Sequence, residues 1–170
     1  RRLFELLATR SGGFRSPLST TVGHLPELLY QPEQPLADDL RARLAWLAAL
    51  KDGDARTRSV IFPHPPAPDD LAGWLALADE LAGLHESLAA DNLCCGALPG
   101  RTGLPGGEPG RWEALGRIED AYLALLAASG LADTHASRRR ALKHGGIALP
   151  EERDAVVLLG VADQSPQLRE

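Results

Sequence analysis

The sequence predicts an α-rich α/β fold, in which a large helical region lies between two short strands. Three observations predict it. Ala and Leu dominate a chain of 170 residues with only 5% aromatics, and both are good helix formers. Apolar residues recur at the i, i+3, i+4 spacing through the middle of the chain. Near each end lies a short run of strand character: Pro17-Leu18-Ser19-Thr20-Thr21-Val22, and Ala155-Val156-Val157-Leu158-Leu159-Gly160. The second run is apolar throughout, as in a strand covered on both faces.

In chain order, Leu3, Leu6 and Leu7 share one helical face, and Gly12-Gly13 stops that helix. The first strand follows, then a short helix over His24–Tyr30 and a loop over Gln31–Pro35. Ala37-Asp38 begins a helix with Leu40, Leu44, Trp46 and Leu47 on a broad apolar side, closed by Lys51-Asp52-Gly53. Ser59-Val60-Ile61-Phe62 reads as a strand or extended arm, and His64–Pro68 as a stiff connector. Asp69-Asp70 caps a long helix to about Asp91, with Leu71, Trp74, Leu75, Ala78, Leu81, Ala82 and Leu88 as its stripe. A Gly/Pro-rich loop spans residues 96–110. Helices over Trp112–Ser129 and Ala136–His144 follow; Asp133-Thr134 caps the second, and Gly130 and Gly145-Gly146 end them.

Composition narrows the function. The net charge of −5 does not advertise nucleic-acid binding over the whole surface, so any basic site is local. No stretch approaches the ~20 apolar residues of a membrane span. Cys94 and Cys95 are adjacent, and a bond between them would close almost no loop. Structural zinc sites use two spaced pairs, and there is no second pair. The pair reads as reduced and cytoplasmic. The chain opens Arg1-Arg2-Leu3-Phe4 and contains no Met, so it reads as a piece of a longer protein without a complete active site.

Several segments together resemble AddB-type proteins of the PD-(D/E)XK nuclease family, which serve bacterial double-strand-break repair and recombination. They are Pro17 through Gly23-His24-Leu25-Pro26-Glu27-Leu28-Leu29-Tyr30; Arg111-Trp112-Glu113-Ala114-Leu115 through Tyr122-Leu123 to Gly130-Leu131-Ala132-Asp133; Arg138–Leu142; and Val156–Asp163. The resemblance implies a partial P-loop helicase-like core with a small parallel sheet, carrying a large helical insertion. Residues 1–36 would belong to the core, 37–150 would be the insertion, and 151–170 would be the return strand. It implies a parent that is a DNA exonuclease, with its nuclease centre outside this chain, and a helicase–nuclease partner subunit.

The residues themselves offer little catalysis. The Gly-rich loop ends Gly110-Arg111-Trp112, without the Gly-Lys-Ser/Thr of a phosphate-binding loop. The run Val156–Leu159 leads to Gly160-Val161-Ala162-Asp163 rather than to the strand-end acidic pair that an ATPase uses for Mg²⁺ and water. We expect no ATP hydrolysis, no catalytic or metal-binding residue and no cofactor within this chain. Thr20 and Thr21 occupy the place where, by the resemblance, related motors touch single-stranded DNA; hydroxyls there bind phosphate oxygens. Arg138, Arg139, Arg140 and Lys143 are the only dense basic cluster. Their helical spacing suits a DNA backbone, and equally a solvated face. Trp46, Trp74 and Trp112 fall in apolar stripes and are expected in the core rather than stacked on bases. The expected function is a non-catalytic scaffold and DNA-binding segment of a helicase–nuclease subunit. The rival is a purely structural helical adaptor.

Overall fold

The computed structural model describes residues 18–21, 25–99, 108–145 and 156–157. The helix expected over residues 1–10, most of the Gly/Pro-rich loop, Leu158-Leu159 and Asp163 lie outside the described residues.

Local capping chemistry sets most of the element starts. After the one-turn helix α1 (Pro26–Leu29), α2 (Asp39–Asp52) opens at Asp38, whose side chain accepts the Arg41 N–H. Helix α3 (Ala55–Ile61) opens at Asp54, which accepts from Thr57, and α4 (Leu71–Ala90) at Asp70, which accepts from Gly73. A 3₁₀ turn, η1 (Cys95–Ala97), leads toward α5 (Pro109–Ala128), which has Pro in its first turn. Helix α6 (Thr134–His144) opens at Asp133, which accepts from Ala136, and ends at Gly145 in the left-handed conformation, φ 66°. At α2, α3, α4 and α6 a side-chain carboxylate thus satisfies an N–H that the first helical turn leaves without a partner. The cap at Asp133 was legible from Asp133-Thr134, and that at Asp70 from Asp69-Asp70.

The core is built by α2, α4 and α5. Helix α2 packs on α4 and α5, α3 on α5, and η1 on α5. Trp46, Ala49 and Leu50 from α2 meet Trp74, Ala78 and Leu81 from α4, and Ala114, Leu115, Ile118, Tyr122 and Leu126 from α5; Ile61 and Cys95 complete the cluster. Trp112 is partly buried against it. The tryptophans therefore pack in or on the core, as their stripes indicated. The apolar side of α2 is displaced from the expected one: Leu40 and Leu44 are 64% and 49% exposed, and Leu47 is only partly buried. Its buried side is Trp46, Ala49 and Leu50 instead.

Three expectations need correction. Ser59-Val60-Ile61 is helical. Thr57 and Ile61, one turn apart, are both buried, so the Asp54 cap and core contact outweigh the β preference of Val60 and Ile61. Helix α5 starts at Pro109, three residues before Trp112. The larger correction concerns the sheet. Among the described residues there is no strand, and the β-type pairing is a single isolated parallel bridge, Leu36 with Ala132. Leu18–Thr21 is exposed and irregular, and Val156 and Val157 are 44% and 75% exposed. The α-rich α/β class with a partial P-loop helicase-like core and small parallel sheet is thus replaced by a helical fold. Parallel sheets are normally covered on both faces, whereas Val156 and Val157 are exposed. Short apolar runs do not by periodicity alone distinguish a strand from other structure.

Candidate functional site

The polar centre of the molecule is a buried histidine between two carboxylates. His85 belongs to the buried stripe of α4, with Ala78 and Leu81 before it and Ala89 after it. Glu119 occupies the same kind of position on α5, between Ile118 and Tyr122. Asp133 is the cap of α6. The three are 3%, 3% and 8% exposed.

His85 Nδ1 lies 2.7 Å from Glu119 Oε1, and His85 Nε2 lies 3.1 Å from Asp133 Oδ1. Both acids have further donors. The Cys95 N–H donates to Glu119 Oε2 at 2.9 Å, the Tyr122 hydroxyl to Asp133 Oδ2 at 2.8 Å, and the Ala136 N–H to Asp133 Oδ1 at 2.7 Å. Trp46 stacks on Tyr122 with ring centroids 4.1 Å apart and planes 9° apart, and meets His85 edge-on at 5.7 Å. A close approach of backbones seats η1 beside Glu119: a Cβ on Gly116 would lie 3.0 Å from Gly96 Cα and 3.1 Å from its N.

These contacts fix the charges. Ionised carboxylates only accept hydrogen bonds, so two of them on one imidazole require both ring nitrogens to donate. Burial acts most strongly on His85 and opposes its charge. The hydrogen bonds to Asp133 and Glu119, with their negative charges, outweigh burial and push it up to about 9. Burial likewise opposes the charge on Asp133, but His85, the Ala136 N–H and the Tyr122 hydroxyl hold it down to about 2. Burial, followed by the Glu119 charge, pushes the Cys95 thiol up to about 12. Burial, followed by the charge of Asp133, raises Tyr122 as well. His135, 5.5 Å from His85 between ring centroids, is pushed down, chiefly by burial.

Chemically, the cluster is a closed ionic clamp. Each ring nitrogen of His85 is engaged, Cys95 is held as a thiol, and every carboxylate oxygen accepts from an internal donor. It joins α4, α5, η1 and the start of α6. His85 lies 34 and 48 positions from its two partners, so no local spacing in the sequence joins them. The signal that pointed to the clamp is a single polar residue inside each apolar stripe: His85 in α4 and Glu119 in α5.

The residues proposed from the sequence to contact nucleic acid fall elsewhere. Thr20 and Thr21 are exposed in irregular chain. Arg138, Arg139, Arg140 and Lys143 all lie on α6. Arg139 is half-buried and donates to the Leu93 carbonyl at 2.7 Å. Arg140 is exposed and pairs with Glu33 at 3.1 Å. Arg138 is half-buried, and Lys143 is exposed in the last turn beside His144. No group of metal-ligating side chains occurs among the described residues. None of the described helices is long and apolar enough to cross a membrane.

Comparison with protein-family models, with curated proteins and with solved structures finds no match for this chain.

Proposed function

We propose that this chain is a non-catalytic scaffold and DNA-binding segment of a bacterial double-strand-break repair helicase–nuclease subunit, with residues 37–150 as its helical insertion. The parent would be a cytoplasmic DNA exonuclease of the PD-(D/E)XK family, acting beside a helicase–nuclease partner subunit. This segment would hold DNA weakly and carry no cofactor of its own. One observation supports the reading best: the helical part closes on itself. The Ala37 N–H donates to the Ala132 carbonyl at 2.9 Å, and the Ala132 N–H to the Pro35 carbonyl at 2.9 Å. Chain entry therefore lies beside the segment that leaves α5, which closes the α2–α5 core, and α6 follows that closure. The residue resemblance described above supplies the rest.

The purely structural adaptor remains the second reading. The commitment of Arg139 and Arg140 to internal partners favours it, as does the net charge of −5. Fluorescence anisotropy with a labelled single strand at several salt concentrations separates the two. The DNA reading expects weak, sequence-blind binding at low salt. Replacing Arg140 and Lys143 with Ala should then flatten log affinity against log salt by about 0.7 per lost contact. An unchanged affinity and slope in the double variant would leave the adaptor.

A further inference from the structure

Helix α6 is held to the rest of the molecule unlike any other long helix. None of its residues is fully buried, and its main packing partner is α4. Its attachments include the Asp133 cap, the edge-on contact of His135 with His85, the Arg139 hydrogen bond to Leu93, the Arg140 pair with Glu33 and the bridge at Ala132. The cap and the His135 contact both reach the buried His85.

We infer that α6 is a detachable helix latched by the positive charge of His85, so that losing this one proton frees α6 while the α2–α4–α5 core stays folded. The geometry demands the charge. A neutral imidazole keeps a hydrogen on one nitrogen only. Its other lone pair would then face a carboxylate oxygen across 2.7 Å or 3.1 Å. Glu119 is anchored within α5 and to the turn at Cys95. Asp133 is held by one hydroxyl, that of Tyr122, and caps α6, none of whose residues is fully buried, so repulsion is relieved by displacing the cap and the helix that starts on it. Other charged and titratable groups surround the clamp. Tyr122 on α5, Cys95 on η1 and His135 on α6 are in or beside it, while Glu86 on α4 and Arg138 on α6 act on His135, and Arg139 acts on Cys95. Helix α2 contributes Trp46, which does not titrate. Tyr122 and Cys95 are raised and His135 is lowered, so His85 changes charge before Tyr122 or Cys95 loses a proton.

The sign follows from linkage. His85 is raised from its ordinary 6.5 to about 9, so the latch is fully set below pH 6.5 and is lost as pH rises through about 9. Asp133 is lowered from 3.8 to about 2, so its share is complete above pH 3.8 and is lost as pH falls through about 2. Across the neutral range the latch holds. It releases on the alkaline side, or when something separates His85 from Asp133.

The test reads the helix, not DNA, so it stands or fails independently of the DNA-binding proposal. Nitrogen-15 spectra of the histidine rings in the unaltered chain follow His85 directly. Hydrogen exchange, corrected for intrinsic rate, follows each helix from pH 7 to pH 10. Both His85 nitrogens should carry protons at pH 7.5, with a midpoint near 9. Peptides from α6 should lose protection on the order of a hundredfold through that midpoint, while α2 and α4 keep theirs. His85→Gln should show an already unprotected α6 at pH 7. A His85 midpoint near 6.5, or loss of α6 protection only together with α2 and α4, overturns the inference.

Discussion

The α2–α4–α5 core and helix α6 are held by different forces. In the core, side chains such as Leu50 at 0% and Tyr122 at 1% exposure fill space between helices. Each fully buried apolar side chain contributes about 1.5–3 kcal/mol without demanding a particular direction. Helix α6 has no such residue and depends on aimed hydrogen bonds and charges. Apolar packing degrades gradually when a side chain is trimmed. A buried ionic clamp fails sharply, because an abandoned partner remains buried and charged. The molecule therefore joins a tolerant body to a helix whose docking depends on a few atoms.

The largest effect should come from the body. Trp46 is buried, stacks on Tyr122 and meets His85. Trp46→Ala should cost about 3–5 kcal/mol in urea unfolding and lower the protection of every helix together. Leu44→Ala, on the same helix but at a site 49% exposed, should change stability by less than about 0.5 kcal/mol. Equal losses from the two would mean that α2 presents its Leu40–Leu44 side to another surface.

A smaller effect tests the joint between body and clamp. Alanine normally stabilises a helix interior relative to glycine by about 1 kcal/mol. At Gly116 the added carbon would press on the Gly96 backbone at 3.0 Å and push η1 away from Glu119. Gly116→Ala should therefore destabilise by about 1–2 kcal/mol, reversing the usual sign. A gain in the urea midpoint would show that η1 yields freely and that the Cys95–Glu119 bond does not depend on the close approach.

The same division explains what the sequence disclosed. Caps at Asp38, Asp70 and Asp133 were readable because a cap involves residues three positions apart. The stripe of α4 was readable from periodicity and placed Trp74, Ala78 and Leu81 in the core, although Leu71 at its start is 53% exposed. Helix α2 was harder: alanine-rich on several sides, it has two candidate faces, and only its neighbours choose between them. Val60 and Ile61 misled because β-branched residues tolerate a helix when a cap and a core contact favour one. The sheet misled because apolar character was read as burial. The clamp joins residues 34 and 48 positions apart. No local rule pairs them, although a histidine and a glutamate inside apolar stripes each needed a buried partner.

Two arginines give the finest comparison. Arg43 on α2 reaches Asp79 on α4 with two hydrogen bonds of 2.7 Å, a favourable geometry that ties two core helices together. Both side chains are about half exposed, at 44% and 52%. Water and salt screen such a pair, and packing already holds α2 to α4. Arg139 makes one 2.7 Å bond, to a carbonyl, on a helix with no buried residue to share the task. Arg139→Ala should cost about 1–2 kcal/mol, visible as faster hydrogen exchange in α6 with the core unchanged, and should persist in 1 M salt. Arg43→Ala should leave α6 untouched, and any shift in the urea midpoint should vanish in 1 M salt. If Arg43→Ala were the more damaging of the two at high salt, ion-pair geometry would outweigh packing context here, and the division between body and α6 would be drawn in the wrong place.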